Sequence, residues 1–362
     1  MSFTLGLMSG TSMDGIDVAL IDPKTQDLQY GLTMPYPKEV QTALYDALQT
    51  KHLTFAQMAI LNTLIGRAFA MSANTLLKKA GVLPHQVLAI GSHGQTVCHD
   101  ATAPIPYTMQ LGCAHTIAEH TKIPVVADFR TRDVVLGGQG APFAPLYHQH
   151  LWHNLNECVA VVNIGGIANV SFVHGEKPIL GFDCGPGNVL MDAWVHHHRG
   201  LNYDEGGQWA ALGQVIPSLL DALLGDPFFA TPAPKSIGKE YFSQAWLKSH
   251  LQENFEACDV QATLLMLSVC GIAKVIHAYV QKVQRLIVCG GGAHNKTLLQ
   301  KLQEILPNVR VDVSDALGVS ADYMEAMMFG WFAYQTMNKI PLDLTSITGA
   351  QKASVMGVVY WP

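Results

Sequence analysis

Chemistry in this sequence is concentrated in three glycine-rich segments and the carboxylates near them. Gly6 to Gly15 reads Gly-Leu-Met-Ser-Gly-Thr-Ser-Met-Asp-Gly. It sets Gly10, Thr11, Ser12, Met13, Asp14 and Gly15 between two β-like runs, and Ile16 and Asp17 open the second run. Backbone N–H groups in such a turn can cradle phosphate oxygens, because bulkier residues would block the approach. Asn163-Ile164-Gly165-Gly166-Ile167-Ala168-Asn169 has the same character between another pair of β-like runs. Gly290-Gly291-Gly292-Ala293-His294-Asn295 forms a strand-to-helix turn, suited to a flat adenine or to phosphate at a helix N-terminus. Three such turns at matched places predict a nucleotide held between two lobes.

The carboxylates complete the chemistry. Asp183 follows a strand read over Ile179 to Phe182 and precedes Gly185-Pro186-Gly187-Asn188. That is the position of a general base at a sheet edge, or alternatively of a cap for the next helix. Asp192 and Asp204 read as structural acids. Asp14 and Asp17 flank a turn; Asp14 either shapes that turn or positions magnesium through water, since this metal takes oxygen ligands and keeps several waters. Glu325 shares a helix face with Asp322 among Met324, Met327, Met328 and Phe329. An acid in that setting needs a partner or a cleft, although a solvated face is also open. His93, Gln95, Asp128 and Arg130 follow strand ends, where ligands of open α/β sheets collect.

Positioning these groups falls to a duplicated α/β pattern. β-like runs at Phe3 to Met8, Ile16 to Ile21 and Leu28 to Thr33 precede helices at Glu39 to Leu48 and Phe55 to Lys79. Strand Val87 to Ile90, helix Ala114 to Thr121 and strand Pro124 to Ala127 complete a βββαβαβ order. The second half repeats it. Strands Val159 to Val162, Asn169 to Val173 and Ile179 to Phe182 lead into a helix over Asn188 to His198. Strand Leu286 to Val288, helix Thr297 to Leu306, strand Val309 to Val313 and helix Ser320 to Tyr334 follow. The predicted first lobe is 1–135 plus 342–362; the second is 136–341, with a helical insertion at about 206–282. Gly137 to Gly140 reads as the linker and hinge, with a second crossing near Pro341.

Composition narrows the function classes. A chain of 362 residues suggests two domains, and a 49% hydrophobic fraction furnishes a core for each. Twenty-two basic against 28 acidic side chains give a net charge of −6, which argues against a nucleic-acid footprint. The longest apolar candidate for a membrane span, Leu264 to Ile276, is interrupted by Ser268, Gly271 and Lys274 and reads as a buried helix. The opening residues lack the basic region of a secretory signal. Seven scattered cysteines with no C-x-x-C spacing suit reduced cytosolic thiols. His196-His197-His198 would splay around a helix and not converge on a metal.

Gly6 to Asp17 resembles the signature of the anhydro-N-acetylmuramic acid kinases, bacterial peptidoglycan-recycling enzymes of the sugar kinase/actin/chaperone ATPase superfamily. Ser92 to Thr96, Ala127 to Arg130, Asn163 to Asn169, Asp183 to Asn188 and Gly290 to Asn295 fit the same family, so the likeness spans the chain. The resemblance implies a two-lobed, duplicated actin-like ATPase fold with a central nucleotide cleft. It implies phosphorylation of O6 of 1,6-anhydro-N-acetylmuramic acid by ATP with Mg2+, while water opens the anhydro bond. Asp183 would activate that water with Glu325 beside it. Gly10 to Asp17, Asn163, Gly165, Gly166, Asn169, Gly290, Gly291, Gly292 and Asn295 would hold nucleotide. His93, Gln95, Asp128, Arg130, Gly185 and Asn188 would contact sugar. Arg130 is a clamp for the lactyl carboxylate or a structural partner of Asp128 or Asp133. The expected setting is cytoplasmic, with a small amino sugar as partner, no nucleic acid, no membrane, and room for a homodimer. Without the likeness, a small-molecule kinase, a chaperone or filament ATPase and a nucleotide sensor stay open, and an ATP-independent glycosidase is the rival of another kind.

Overall fold

The computed structural model describes the chain except residues 1, 11, 12, 14, 51, 176–179, 234, 239, 240, 253, 280 and 281. The expected nucleotide contacts Thr11 and Ser12, the expected metal position Asp14 and the strand residue Ile179 therefore lie outside the described residues.

The chain opens with β1 (Phe3–Met8), β2 (Ile16–Ile21) and β3 (Leu28–Met34), then α1 (Lys38–Thr50) and α2 (Phe55–Ala80). Next come β4 (Val87–Ser92), β5 (Gln95–Asp100), β6 (Tyr107–Leu111), α3 (Ala114–Thr121), β7 (Val125–Ala127) and α4 (Phe129–Val135). After α5 (Ala144–Trp152) follow β8 (Val159–Ile164), β9 (Ile167–Val173), β10 (Leu180–Pro186) and α6 (Val189–Arg199). Short helices α7 (Pro217–Leu224), α8 (Pro227–Ala230) and α9 (Gln244–Lys248) lead to the long α10 (Ala257–Ala278). The remaining elements are β11 (Arg285–Cys289), α11 (Lys296–Ile305), β12 (Arg310–Val313), α12 (Met324–Met337) and β13 (Val358–Tyr360).

The ends of α2 show local sequence setting local structure. Thr54 and Gln57 form a capping box at its start, and Gly81 closes it in the left-handed conformation with its N–H on the Leu77 and Lys78 carbonyls. Its apolar stripe packs Leu61, Ile65, Phe69 and Leu76 against Leu5, Leu7, Val18 and Leu20 of the sheet. The β5–β6 hairpin was not anticipated, because residues 95–111 carry little apolar alternation: Cys98 and His99 on β5 and Tyr107 and Met109 on β6 are exposed.

Two compact units result, Met1–Ala144 with Tyr323–Pro362, and Pro145–Asp322. In the first, the sheet order is β13-β7-β4-β1-β2-β3; in the second it is β10-β9-β8-β11-β12. β1 pairs antiparallel with β2 and parallel with β4, and β8 does the same with β9 and β11. The strand topology is thus duplicated, as the sequence pattern implied.

The limits of the units differ from the expected 135/136 and 341/342. Helix α12 follows the last strand of the second sheet but packs on the first. Gly6 and Gly91, on adjacent strands β1 and β4, let it do so: a Cβ on either would stand 1.7 Å from the Ala326 carbonyl oxygen or 1.9 Å from that of Phe329. Glu325, expected in the second lobe, therefore belongs to the first unit.

The expected hinge also changes character. Gly140 N–H donates to Asp133 Oδ2 at 2.7 Å, Gly138 N–H to the Asp133 carbonyl, and Gln139 N–H to the Thr348 carbonyl. Asp133 is fully buried and also accepts from Thr348 Oγ1 at 2.8 Å. Residues 137–140 are thus pinned within the first unit, and the chain passes from one unit to the other at Ala144/Pro145 and Asp322/Tyr323.

Helix α10 is long and apolar enough to cross a membrane, but 72% of its most apolar window is buried. It packs against α6, α7, α11 and β10 as the core helix of the second unit.

Candidate active site

In the first unit, the β1–β2 turn is braced from a distant strand. Ser9 Oγ sits 2.8 Å from the Gly15 carbonyl and 2.9 Å from Gln95 Oε1, while Gln95 Nε2 donates to the Gly10 carbonyl at 3.2 Å. Tyr36 OH adds a bond to Gln95 Oε1 at 3.2 Å. Gln95 is fully buried, so the structure makes this expected sugar contact a brace for the glycine turn. Met13 holds a left-handed φ of 58° in that turn, and Gly10 keeps part of its surface accessible. Ile16 is wholly buried and contributes to the core. Asp17 pairs in register with Met8 and Thr33, and Thr33 Oγ1 donates to Asp17 Oδ1 at 2.7 Å.

His93 and Arg130 form a second group at the ends of β4 and β7. His93 places Nδ1 against the Gly94 carbonyl at 2.8 Å, and Arg130 Nε donates to Nε2 at 2.8 Å. Both contacts require the neutral ring protonated at Nδ1. Burial and the adjacent guanidinium together hold its pKa well below the ordinary range. Arg130 Nη1 donates to the Gly140 carbonyl at 2.8 Å, and its guanidinium lies 5.7 Å from the Phe143 ring centroid. Neither expected ion pair forms: Asp133 is taken by Thr348 and Gly140, and Asp128 accepts Tyr360 OH at 2.5 Å. Asp128 adopts a left-handed φ of 63° and leaves the start of α4 without a side-chain cap, so its carboxylate serves Tyr360.

Glu325, near the start of α12, feels Arg130 and Asp17. Water reaches its side chain, yet protein crowds it and raises its pKa; Arg130 pulls the value back and Asp17 adds to the rise. Asp322 lies in the other unit, 2.6 Å from His294 Nε2.

In the second unit, strand register gathers predicted residues that are distant in sequence. Asn163 pairs with Asn169 and Asn169 with Asp183, which puts the three side chains in one row across β8, β9 and β10. A bulge at Cys184 breaks the register just after Asp183, where such features commonly re-aim a side chain. Asp183 is half-buried; its Oδ2 accepts Ile237 N–H at 2.8 Å and Ser236 Oγ at 3.2 Å. Burial raises its pKa, and these two bonds partly offset the rise. The helix-cap alternative fails, because α6 begins after Asn188.

The glycine turns of this unit are stitched together. Asn188 N–H donates to the Gly165 carbonyl and Gly187 N–H to that of Gly166, both at 2.8 Å, and Asn188 Nδ2 donates to the Ile164 carbonyl at 3.0 Å. Gly290 has φ 75°, and a Cβ there would meet Asn163 Oδ1 at 2.2 Å; one on Gly292 would meet Ile164 at 2.4 Å. Gly291 stands beside Asn188 Nδ2. Gly185 faces Phe229, inside the unit. Asn295 Oδ1, expected at the nucleotide, accepts Leu298 N–H at 3.0 Å and caps α11. Of the three glycines, Gly291 is exposed, Gly290 partly so, and Gly292 is buried against Ile164.

Sequence reasoning missed Ser236 and Ile237, which hold Asp183. They sit in the insertion, in a stretch without a motif, and no local signal points to them. It also missed Asn62, which only the fold brings beside His93 and Asp128.

The sequence profile of the anhydro-N-acetylmuramic acid kinases matches residues 2–362. Anhydro-N-acetylmuramic acid kinases of Legionella pneumophila, strains Corby and Philadelphia 1, are each 54% identical over 360 residues, covering 99% of this chain and 98% of theirs. Component A of (R)-2-hydroxyglutaryl-CoA dehydratase from Acidaminococcus fermentans shares the fold at 13% identity, with a TM-score of 0.52 over 94% of this chain and 100% of that one. The duplicated actin-like α/β fold implied by the family resemblance is the fold of this chain, which belongs to the anhydro-N-acetylmuramic acid kinase family.

Proposed function

We propose that this chain converts 1,6-anhydro-N-acetylmuramic acid, ATP and water to N-acetylmuramic acid 6-phosphate and ADP, in the recycling of peptidoglycan. Full-length membership of the kinase family carries the reading, and the setting of Asp183 supports its chemistry. Asp183 Oδ2 is tied to Ile237 and Ser236, while Oδ1 has no hydrogen bond among the described residues. In the proposed reaction Oδ1 takes a proton from water as the hydroxide adds to C1. The C1–O6 bond breaks, O6 attacks the γ-phosphorus, ADP leaves, and Asp183 returns its proton to solvent. A carboxylate with a raised pKa is a stronger base than an ordinary one, which suits proton removal from water.

Asp17 and Glu325 supply hard oxygen atoms close enough to sense each other's charge. That donor set fits Mg2+ held largely through water, and bound there the ion would screen phosphate charge. Arg130, charged throughout, orients neutral His93 and steadies the ionised form of Glu325. The Gly290–Gly292 turn is assigned to adenine, and the Gly10 and Gly165–Gly166 turns to phosphates.

The reading places the enzyme in the cytoplasm with a small amino sugar as partner, without nucleic acid or membrane, and includes a homodimer for sedimentation to check. Mass spectrometry after incubation with the anhydro sugar, ATP and Mg2+ tests the chemistry. A product heavier by one phosphoryl group and one water is expected; turnover that ignores ATP would overturn it.

A further inference from the structure

β10 is an outer strand of the second sheet, so backbone groups on its free side need partners from elsewhere. Residues 235–237, from the helical insertion, supply them at Asp183. Asp183 N–H donates to the Lys235 carbonyl at 2.9 Å. The next two residues then reach the Asp183 side chain: Ser236 Oγ donates to Oδ2 at 3.2 Å, and Ile237 N–H donates to the same oxygen at 2.8 Å. The segment is tied down behind. Lys235 Nζ donates to the Phe228 carbonyl at 2.8 Å and stands 4.3 Å from the centroid of that ring. Phe228 in turn packs edge-on against Phe229 and Phe242, and all three rings are buried.

Two donors on one oxygen do what one alone does not. The torsion about the Cβ–Cγ bond of an aspartate is broad and roughly two-fold, so a loosely held carboxylate exchanges its oxygens. One donor fixes where an oxygen sits and leaves the plane of the group free; a second fixes the plane. Oδ1 then keeps one place. A base must stand within about 3 Å of the proton it takes, and a misplacement of about 1 Å can cost on the order of 100-fold in rate. Among the described residues, no charged group is bonded to this carboxylate. Lys235 is bonded to Phe228, and the next cation, Lys274 of α10, acts on Lys235. Burial pushes the Cys184 thiol up, so it stays neutral beside Asp183.

We propose that Ser236 is a positioning residue for the reaction: together with the Ile237 N–H it fixes the plane of the Asp183 carboxyl group and presents Oδ1 as the base. The inference rests on the proposed function, which makes Asp183 the group that takes a proton from water. It gives the helical insertion a part in the chemistry, through the three residues that reach β10. Ser236 is exposed, so its hydroxyl can be removed without removing core packing. The Ile237 N–H is backbone and stays in any variant at residue 236, which limits the loss to one donor.

The test is Ser236→Ala, alone and combined with Asp183→Asn, in steady-state kinetics with the anhydro sugar, ATP and Mg2+. Alone, it is expected to lower kcat by about tenfold, the lower end for one hydrogen bond to a charged group, with KM for sugar and for ATP unchanged. The acid limb of its kcat profile should move to higher pH, because losing a donor to the carboxylate raises the Asp183 pKa. In the Asp183→Asn background the same change should cost nothing further, since there is no base left to position. Normal kcat, a loss confined to KM, or a full tenfold loss in the Asp183→Asn background would each overturn the proposal. Should the wild type not convert the sugar, the kinase reading fails, and the tie is then read without turnover. With 13C-labelled aspartate and the Asp183 signal assigned by its loss in Asp183→Asn, NMR titration should show a higher Asp183 pKa in Ser236→Ala; an unchanged value would overturn the tie.

Discussion

At the residue scale, the two acids differ in what surrounds them, and their roles separate accordingly. Asp183 is steadied by one backbone N–H and one hydroxyl, with no cation bonded to it. Glu325 has Arg130 to favour its ionised form and Asp17 to oppose it. Asp183→Asn keeps shape and removes basicity. It is expected to lower kcat by at least about 100-fold, the low end for loss of a general base, with nucleotide affinity retained in calorimetry. Near-normal turnover would move the base to Glu325; loss of nucleotide binding would make Asp183 structural. Because both pKa values are raised, the acid limb of the kcat profile should lie above the ordinary carboxylate range, with rate falling as pH drops through it. The sequence singles out Asp183 as following a strand, whereas it lies within β10, next to the bulge that precedes Gly185. The role of Gln95 was not legible: it depends on Ser9 and Gly10, more than 80 residues away.

Elements carry the part of the design least visible in the chain. Order alone assigns α12 to the second sheet, which it follows, and only the glycines at positions 6 and 91 reveal that it lies on the first. Neither glycine is in a turn, so turn chemistry offers no reading of it. A methyl group at residue 91 would stand 1.9 Å from the Phe329 carbonyl oxygen, against backbone that cannot step aside alone. Gly91→Ala is therefore expected to cost about 3 kcal/mol or more, at the upper end for overpacking, and to displace Glu325 with its helix. A thermal melt showing less than about 1 kcal/mol would mean that the helix shifts freely. Helix α6 offers a contrasting case. Burial and the Asp204 carboxylate push half-buried Asp192 up to about 7. Its folded value lies above the unfolded one, so the native state holds the extra proton between about pH 4 and 7, and stability falls as pH rises through that window. Asp192→Asn should leave the melting temperature near pH 4 unchanged and raise it at pH 8. No gain at pH 8 would show that Asp192 ionises without penalty.

For the whole molecule, the duplicated strand order was readable because each half repeats the alternation of short apolar strands and helices, and because glycine turns recur at equivalent strand junctions. The unit boundaries were not readable, since they depend on which sheet a helix covers. A kinase of this kind must join two events, addition of water at C1 and phosphoryl transfer to O6, within one turnover. If O6 received the phosphoryl group from ATP after an independent ring opening, anhydro-bond cleavage would proceed without nucleotide. If the events are joined as proposed, 18O from labelled water should appear at C1 of the sugar product and not in its phosphate, and cleavage should require ATP. Mass spectrometry of the product and its fragments distinguishes the cases. Label in the phosphate, or cleaved sugar without ATP, would overturn the joint mechanism.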